Sequence, residues 1–200
     1  MVKKHGKFSN FKDDMDRANL VRMIQECKPD VIGIAGFSVQ THKLKEELET
    51  IISDEQLTIG DDDKTFQLEV VYVPDDVARL YQNSPKSREE HPDLPPLGRY
   101  CIALARYMQD PLLEYAAIGK DIVSLKFDPA QHLVPEDKLK RQLESAMVDI
   151  VNVVGVRIND AMKKPRIQNL LPFVAGLGPR KATSVFKVIG ANVSVLSTGK

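Results

Sequence analysis

Val31-Ile32-Gly33-Ile34-Ala35-Gly36 is a short apolar run, rich in β-branched side chains and closed by a glycine. Such a run predicts a strand buried on both faces, the kind that parallel sheets use. On its N-terminal side, Asp13 to Cys27 predicts a helix, because Leu20, Ile24 and Cys27 recur at helical spacing with charges between them. Lys28-Pro29-Asp30 ends that helix, since proline disfavours helical backbone at the residue before it. On the C-terminal side, Thr41 is placed to N-cap a second helix with Leu44, Leu48, Ile51 and Ile52 on its inner face. Ser53 to Lys64, with Asp61-Asp62-Asp63, reads as a solvated loop. Phe66 to Val73 is the second strand, and Pro74 closes it. Helix, strand, helix, strand at this spacing implies an α/β layer whose parallel strands are joined by a right-handed crossover.

Beyond this layer the pattern becomes helical. Asp75 to Tyr81 predicts a short helix. Asn83 to Pro96 carries Pro85, Pro92, Pro95 and Pro96 and predicts a loop, long for a connection in a compact domain. An ordinary surface crossover explains it better than a partner-docking surface using Tyr81 and Arg88. Leu97 to Met108 is a strongly apolar helix. Asp110-Pro111 restarts a helix with an N-cap acid and a proline at the first helical position. Ile122 to Phe127 predicts one short extended piece. Pro135 opens the longest predicted helix, to about Val154, with Leu139, Leu143, Met147, Ile150 and Val154 along one face. The expected division falls near residue 130, giving one domain over 1–130 and a second over 131–200 with the long helix as connector.

Lys and Arg number 28 and Asp and Glu number 28, so the net charge is zero over 200 residues. That balance excludes a uniformly basic arm and an acidic tail, but not a local basic face. Such a face is present in the sequence: no acid follows Asp160, while Lys163, Lys164, Arg166, Arg180, Lys181, Lys187 and Lys200 do. Cys27 and Cys101 lie in apolar, helix-like contexts and are expected to be buried, reduced thiols of a cytosolic or nuclear protein. No apolar run approaches the roughly 18 residues of a membrane span. Met1 to Gly6 lacks an apolar signal core, so neither secretion nor a membrane is expected.

The most specific motif is Leu170-Leu171-Pro172-Phe173-Val174 followed by Ala175-Gly176-Leu177-Gly178-Pro179-Arg180-Lys181-Ala182. An apolar helix turns through Gly-x-Gly into another helix that opens with Arg-Lys-Ala, which is the pattern of a helix-hairpin-helix. Two glycines permit a tight turn and close approach to a ligand. Amides at the start of the second helix carry partial positive charge and suit a phosphate. Gly176, Gly178, Arg180 and Lys181 are therefore the candidate nucleic-acid-binding residues, with Lys163, Lys164 and Arg166 in support. Contact of this kind grips backbone without reading bases.

A two-metal nuclease site needs carboxylates from strands and a late helix. Here the strand Val31–Ala35 ends in Gly36-Phe37-Ser38, with none. Asp75, Asp76 and Asp110 are explained by capping and first-turn charge, and Glu114 by a solvated helix face. His5, His42, His91 and His132 make no paired ligand spacing. No catalytic residue, metal or cofactor is expected.

Several motifs keep their order in a known family. Val73-Pro74-Asp75 through Ala78, Tyr81-Gln82-Asn83-Ser84, Pro95-Pro96-Leu97, Ala103 through Ala116, Val153-Val154-Gly155-Val156, Ile158-Asn159 and the Gly176 to Ala182 hairpin resemble the suppressor-of-Ty-six family. These are eukaryotic transcription elongation factors and histone chaperones, similar to the bacterial Tex protein. The likeness spans roughly Asp16 to Gly190. It implies an α/β fold: a partial RNase H-like (YqgF-type) layer with parallel strands and no nuclease activity, followed by an all-α helix-hairpin-helix segment. It further implies a nuclear protein that travels with RNA polymerase II and handles histones.

Three departures stand out. The family layer opens with a β-meander, and Met1 stands close before the first helix, so the layer is expected to lack its first strands and expose an edge. The likeness also stops near Ile189, and Arg157 stands where the family usually has Asp. Two other function classes remain open from the sequence: a module that docks polymerase or histones, and a metal-dependent RNase H-like nuclease.

Overall fold

The computed structural model describes residues 14–59 and 66–197. The Asp61-Asp62-Asp63 run, the Met1 to Gly6 start and Lys200 lie outside the described residues. The chain forms two compact units, residues 1–75 and 76–200.

The first unit is α/β. Helix α1 (Asp14–Cys27) leads to β1 (Val31–Ala35), α2 (Val39–Asp54), a small hairpin of β2 (Thr58–Ile59) and β3 (Phe66–Gln67), and then β4 (Glu69–Val73). Strands β1 and β4 pair in parallel from Val31 opposite Glu69 to Ala35 opposite Val73. The expected parallel layer is thus present. The expected single strand over 66–73 is split, because the chain changes partner: β3 pairs antiparallel with β2 and β4 with β1. Leu68, at the break, is buried and donates its N–H to the Leu57 carbonyl.

Ile24, Ile34, Leu48, Ile52, Leu57, Leu68 and Val70 make this unit's core, with Leu20, Val21 and Leu44 packed against it. Cys27 is exposed rather than buried. It is the last residue of α1, and the chain turns away immediately through Lys28, held at φ 44°. The cap of α2 is Ser38, three residues before the expected Thr41. Thr41 completes the box: Ser38 N–H donates to Thr41 Oγ1 at 2.7 Å and Thr41 N–H donates to Ser38 Oγ at 3.2 Å.

The second unit is helical throughout. It contains α3 (Asp76–Gln82), α4 (Pro85–Glu90), α5 (Pro96–Gln109), α6 (Pro111–Ile118), α7 (Glu136–Val154), α8 (Ile158–Lys163), α9 (Pro165–Gln168) and α10 (Gly178–Ser197). Asp110 caps α6 as expected, accepting from the Leu113 N–H. The proline-rich crossover is not a plain loop. Ser84 caps α4 with Pro85 at its start, and the buried Ser87 hydroxyl bonds the Gln82 and Ser84 carbonyls. Arg99 of α5 then donates to the Gln82 and Leu94 carbonyls at 3.0 and 2.7 Å. Tyr81 donates to Glu90 at 2.6 Å, and Arg106 binds the same carboxylate at 2.9 Å. This region is a side-chain network tying α3, α4 and α5 together.

Ile122 to Phe127 is not extended either; a 3₁₀ helix covers Gly119–Ser124. Ile122 and Leu125 are both buried, and their spacing of three suits three residues per turn. Along α7 the buried face runs through Leu143, Met147 and Val151, whereas Ile150 and Val154 are exposed. Apolar residues fill four of the five positions from Ile150 to Val154, so the pattern there is degenerate and packing selects Val151. At 20 residues, α10 is longer than α7 at 19. Cys101 is exposed on α5, whose buried positions are Arg99, Ala103 and Leu104.

Candidate nucleic-acid interface

The hairpin is built by short elements. Its first arm is a single 3₁₀ turn, Leu171–Phe173, rather than the expected apolar helix. Pro165 and Pro172 start short helical pieces here, and proline cannot supply the amide a longer helix would need. Leu171 is nonetheless buried against Ala161 of α8 and Ala182 of α10, with Val156, Ile167 and Phe186 around them. This small core fixes both arms. It also explains the alanine of the Arg-Lys-Ala sequence, since only a small side chain lets α10 lie this close.

Between the arms, Gly176 and Gly178 hold φ 83° and 61°. Both are left-handed values that glycine adopts without strain. Among the described residues nothing lies within 4 Å of where a Cβ would stand at either glycine. Backbone conformation, rather than crowding, therefore calls for glycine, and the space in front of the turn is open. Leu177 N–H donates to the Val174 carbonyl at 3.0 Å, which closes the turn.

Helix α10 starts immediately after. Leu177 precedes it and has no acceptor with which to cap it. Its first turn carries no acid. Arg180 and Lys181 are exposed there, and Lys181 Nζ reaches back to the Gly176 carbonyl at 3.2 Å. Partial positive charge at the helix start and two full charges thus occupy one end of the hairpin. Lys163 and Lys164 are exposed where α8 ends, and α8 joins the hairpin through Ala161.

Arg166 is placed differently. Its Nη2 donates to Glu114 Oε1 at 2.7 Å and to the Arg106 carbonyl at 3.4 Å, and its buried Nε has no hydrogen-bond partner among the described residues. Glu114 is 3% exposed, so the expected solvated face for this acid is corrected: it is the buried partner of Arg166. The two lie 52 residues apart, and no local signal links them.

A further contact also escaped the sequence reading. Asn152 of α7 accepts the Ala175 N–H at 3.0 Å on Oδ1, and its Nδ2 donates to the Phe173 carbonyl at 3.3 Å. The available signal was one polar residue inside Ile150-Val151-Asn152-Val153-Val154. Among the described residues, no three His, Cys, Asp or Glu side chains gather as a metal site. His42 instead bonds Tyr72, and His91 bonds Arg106.

Known protein families match the chain in two consecutive segments. Residues 4–119 match the YqgF family described as the Holliday-junction resolvase-like of SPT6, and residues 120–199 match a helix-hairpin-helix motif family. The second match continues past Ile189, where the likeness was expected to stop, and the backbone of α10 likewise continues to Ser197. Transcription elongation factor SPT6 of Gibberella zeae is 49% identical over 98% of this chain, which covers 15% of that protein. Transcription elongation factor spt-6 of Neurospora crassa is 48% identical over 98% of the chain, covering 15% of its own length. Transcription elongation factor spt6 of Schizosaccharomyces pombe is 44% identical over 92% of the chain and 13% of its own. The chain therefore spans a small part of these relatives, which are named as elongation factors. With the parallel layer, the glycine hairpin and these relatives in agreement, the chain belongs to the SPT6 family of transcription elongation factors.

Proposed function

We propose that this chain is a non-catalytic scaffold segment of a nuclear elongation factor and histone chaperone, and that its hairpin holds nucleic-acid backbone. Gly176, Gly178, Arg180 and Lys181 make the contact, with Lys163 and Lys164 beside them. Arg166 contributes by anchoring α9, since its guanidinium is committed to Glu114. The observation that carries this reading is the acid-free first turn of α10, which opens at Gly178 with Gly176 two residues before it, both glycines left-handed. The names of the relatives support work in transcription elongation; RNA polymerase II and histones enter as partners through the family resemblance. On this reading the functional division stays near residue 130, with the RNase H-like part before it and the backbone-binding part after it.

The test is a fluorescence-anisotropy titration with duplex and single-stranded DNA across a salt series. A few phosphate contacts give a log–log salt slope of roughly −3 to −5 on duplex. Arg180→Glu/Lys181→Glu, shown by circular dichroism to be folded, should lower affinity by about a hundredfold or more and flatten the slope. A flat salt response in the parent chain would overturn the proposal.

One observation favours a second reading. On α7, Val153 is 87% exposed, Val154 66% and Ile150 48%. An apolar stripe of this kind is a feature of protein-docking surfaces. Capture of polymerase or histones that survives Arg180→Glu/Lys181→Glu but not Val153→Asp would favour docking over backbone binding.

A further inference from the structure

We infer that Asn152 is the positioning residue of the hairpin. The inference rests on the backbone-binding reading above. The three partners of its side chain, one N–H and two carbonyls, allow a single orientation of the carboxamide. Oδ1 takes the Ala175 N–H at 3.0 Å. Nδ2 gives to the Phe173 carbonyl at 3.3 Å and to the Val148 carbonyl of its own helix. These bonds bracket Val174 on both sides.

From Val174 the order passes directly into the site. Its carbonyl receives the Leu177 N–H, which closes the turn, and the Gly176 carbonyl inside that turn receives Lys181 Nζ. Asn152 therefore fixes the base of a turn whose tip carries the binding groups. A glycine turn left unpinned samples many backbone states, and ordering it on binding costs affinity. Pinning it beforehand removes that cost. Among the described residues, Asn152 is the α7 side chain that hydrogen-bonds this turn, and its one bond within its own helix, to the Val148 carbonyl, is offset by the better helix propensity of alanine.

That last point makes the role testable. Alanine is the best helix former, so Asn152→Ala should leave α7 and the melting temperature unchanged while releasing the hairpin. Two readouts are taken on the 200-residue chain: amide hydrogen exchange by NMR in the free protein, and anisotropy with a duplex at fixed salt. Asn152→Ala is expected to speed exchange at Ala175 by about tenfold and to weaken duplex binding by about five- to tenfold, the scale of one lost hydrogen bond. Unchanged exchange at Ala175 overturns the inference, as does faster exchange with unchanged affinity. A parent chain that binds no duplex defeats the backbone-binding reading instead, and the exchange result then decides the clamp by itself.

Discussion

Two places in this chain are built alike. In each, a glycine at positive φ ends one element and a long helix begins: Gly36 before α2, and Gly176 before α10, whose first residue Gly178 is left-handed as well. The difference lies in how the new helix is closed. At α2, Ser38 and Thr41 satisfy each other's amides, so the helix start is sealed by its own hydroxyls. At α10, the residue in that place is Leu177, and Arg180 and Lys181 follow. The sealed turn is held locally. The open turn is held from elsewhere: by Asn152, by the Ala161–Leu171–Ala182 core and, one step back, by the Glu114–Arg166 pair. A helix start that keeps its amides available needs its support from outside.

The strongest way to break this contrast is to remove the remote support. Glu114→Ala leaves the Arg166 guanidinium against the Arg106 carbonyl with no carboxylate. Breaking a buried pair costs about 3–5 kcal/mol, and Arg166 retains some solvent, so about 2–3 kcal/mol is expected in urea unfolding. A change below about 0.5 kcal/mol, the size of an ordinary surface substitution, would show the pair to be dispensable. Next in size is an exchange of character between the two turns. Leu177→Asp gives α10 the cap that α2 has, and should weaken duplex binding by about tenfold without lowering stability. Unaltered affinity would mean that an open helix start is not what binds. The reciprocal change, Ser38→Ala, should cost about 1 kcal/mol of stability and leave affinity untouched.

The smallest effect is a pH dependence confined to the helical unit. Burial and the hydrogen bond to Glu90 push the Tyr81 phenol up to about 12. The neutral phenol is thus favoured by folding. Its contribution is complete below the ordinary tyrosine value of about 10 and is lost as pH rises towards the folded value. Tyr81→Phe should remove that alkaline loss, read as the slope of unfolding free energy against pH. At the other end, burial pushes the Glu90 carboxyl up, but bonds from Tyr81 and Arg106 outweigh it and hold it below its ordinary value. Its stabilising effect should therefore disappear as pH falls through the acid range.

What was readable in advance follows the range of the interaction. Strand β1, helix α2 and the Asp110 cap were legible because their signals lie within a few residues. The α2 cap was misplaced onto Thr41 because two hydroxyls three residues apart both fit, and only geometry assigns their order. Helix α4 was hidden by Pro85, a residue that punctuates loops and starts helices alike. The glycines, Arg180 and Lys181 were legible as a cluster. The roles of Arg166 and Asn152 were not, because each depends on a partner at least 21 residues away.

The Glu114–Arg166 pair has one more consequence. Glu114 falls in the segment that matches the resolvase-like family, and Arg166 in the segment that matches the hairpin family. Sequence modularity and physical modularity therefore part company at residues 119 and 120. A recombination event at that seam would give each product half of a salt bridge: a buried carboxylate in one, an orphaned guanidinium in the other. The two sequence modules are heritable as separate units only if both halves of this charge pair change together.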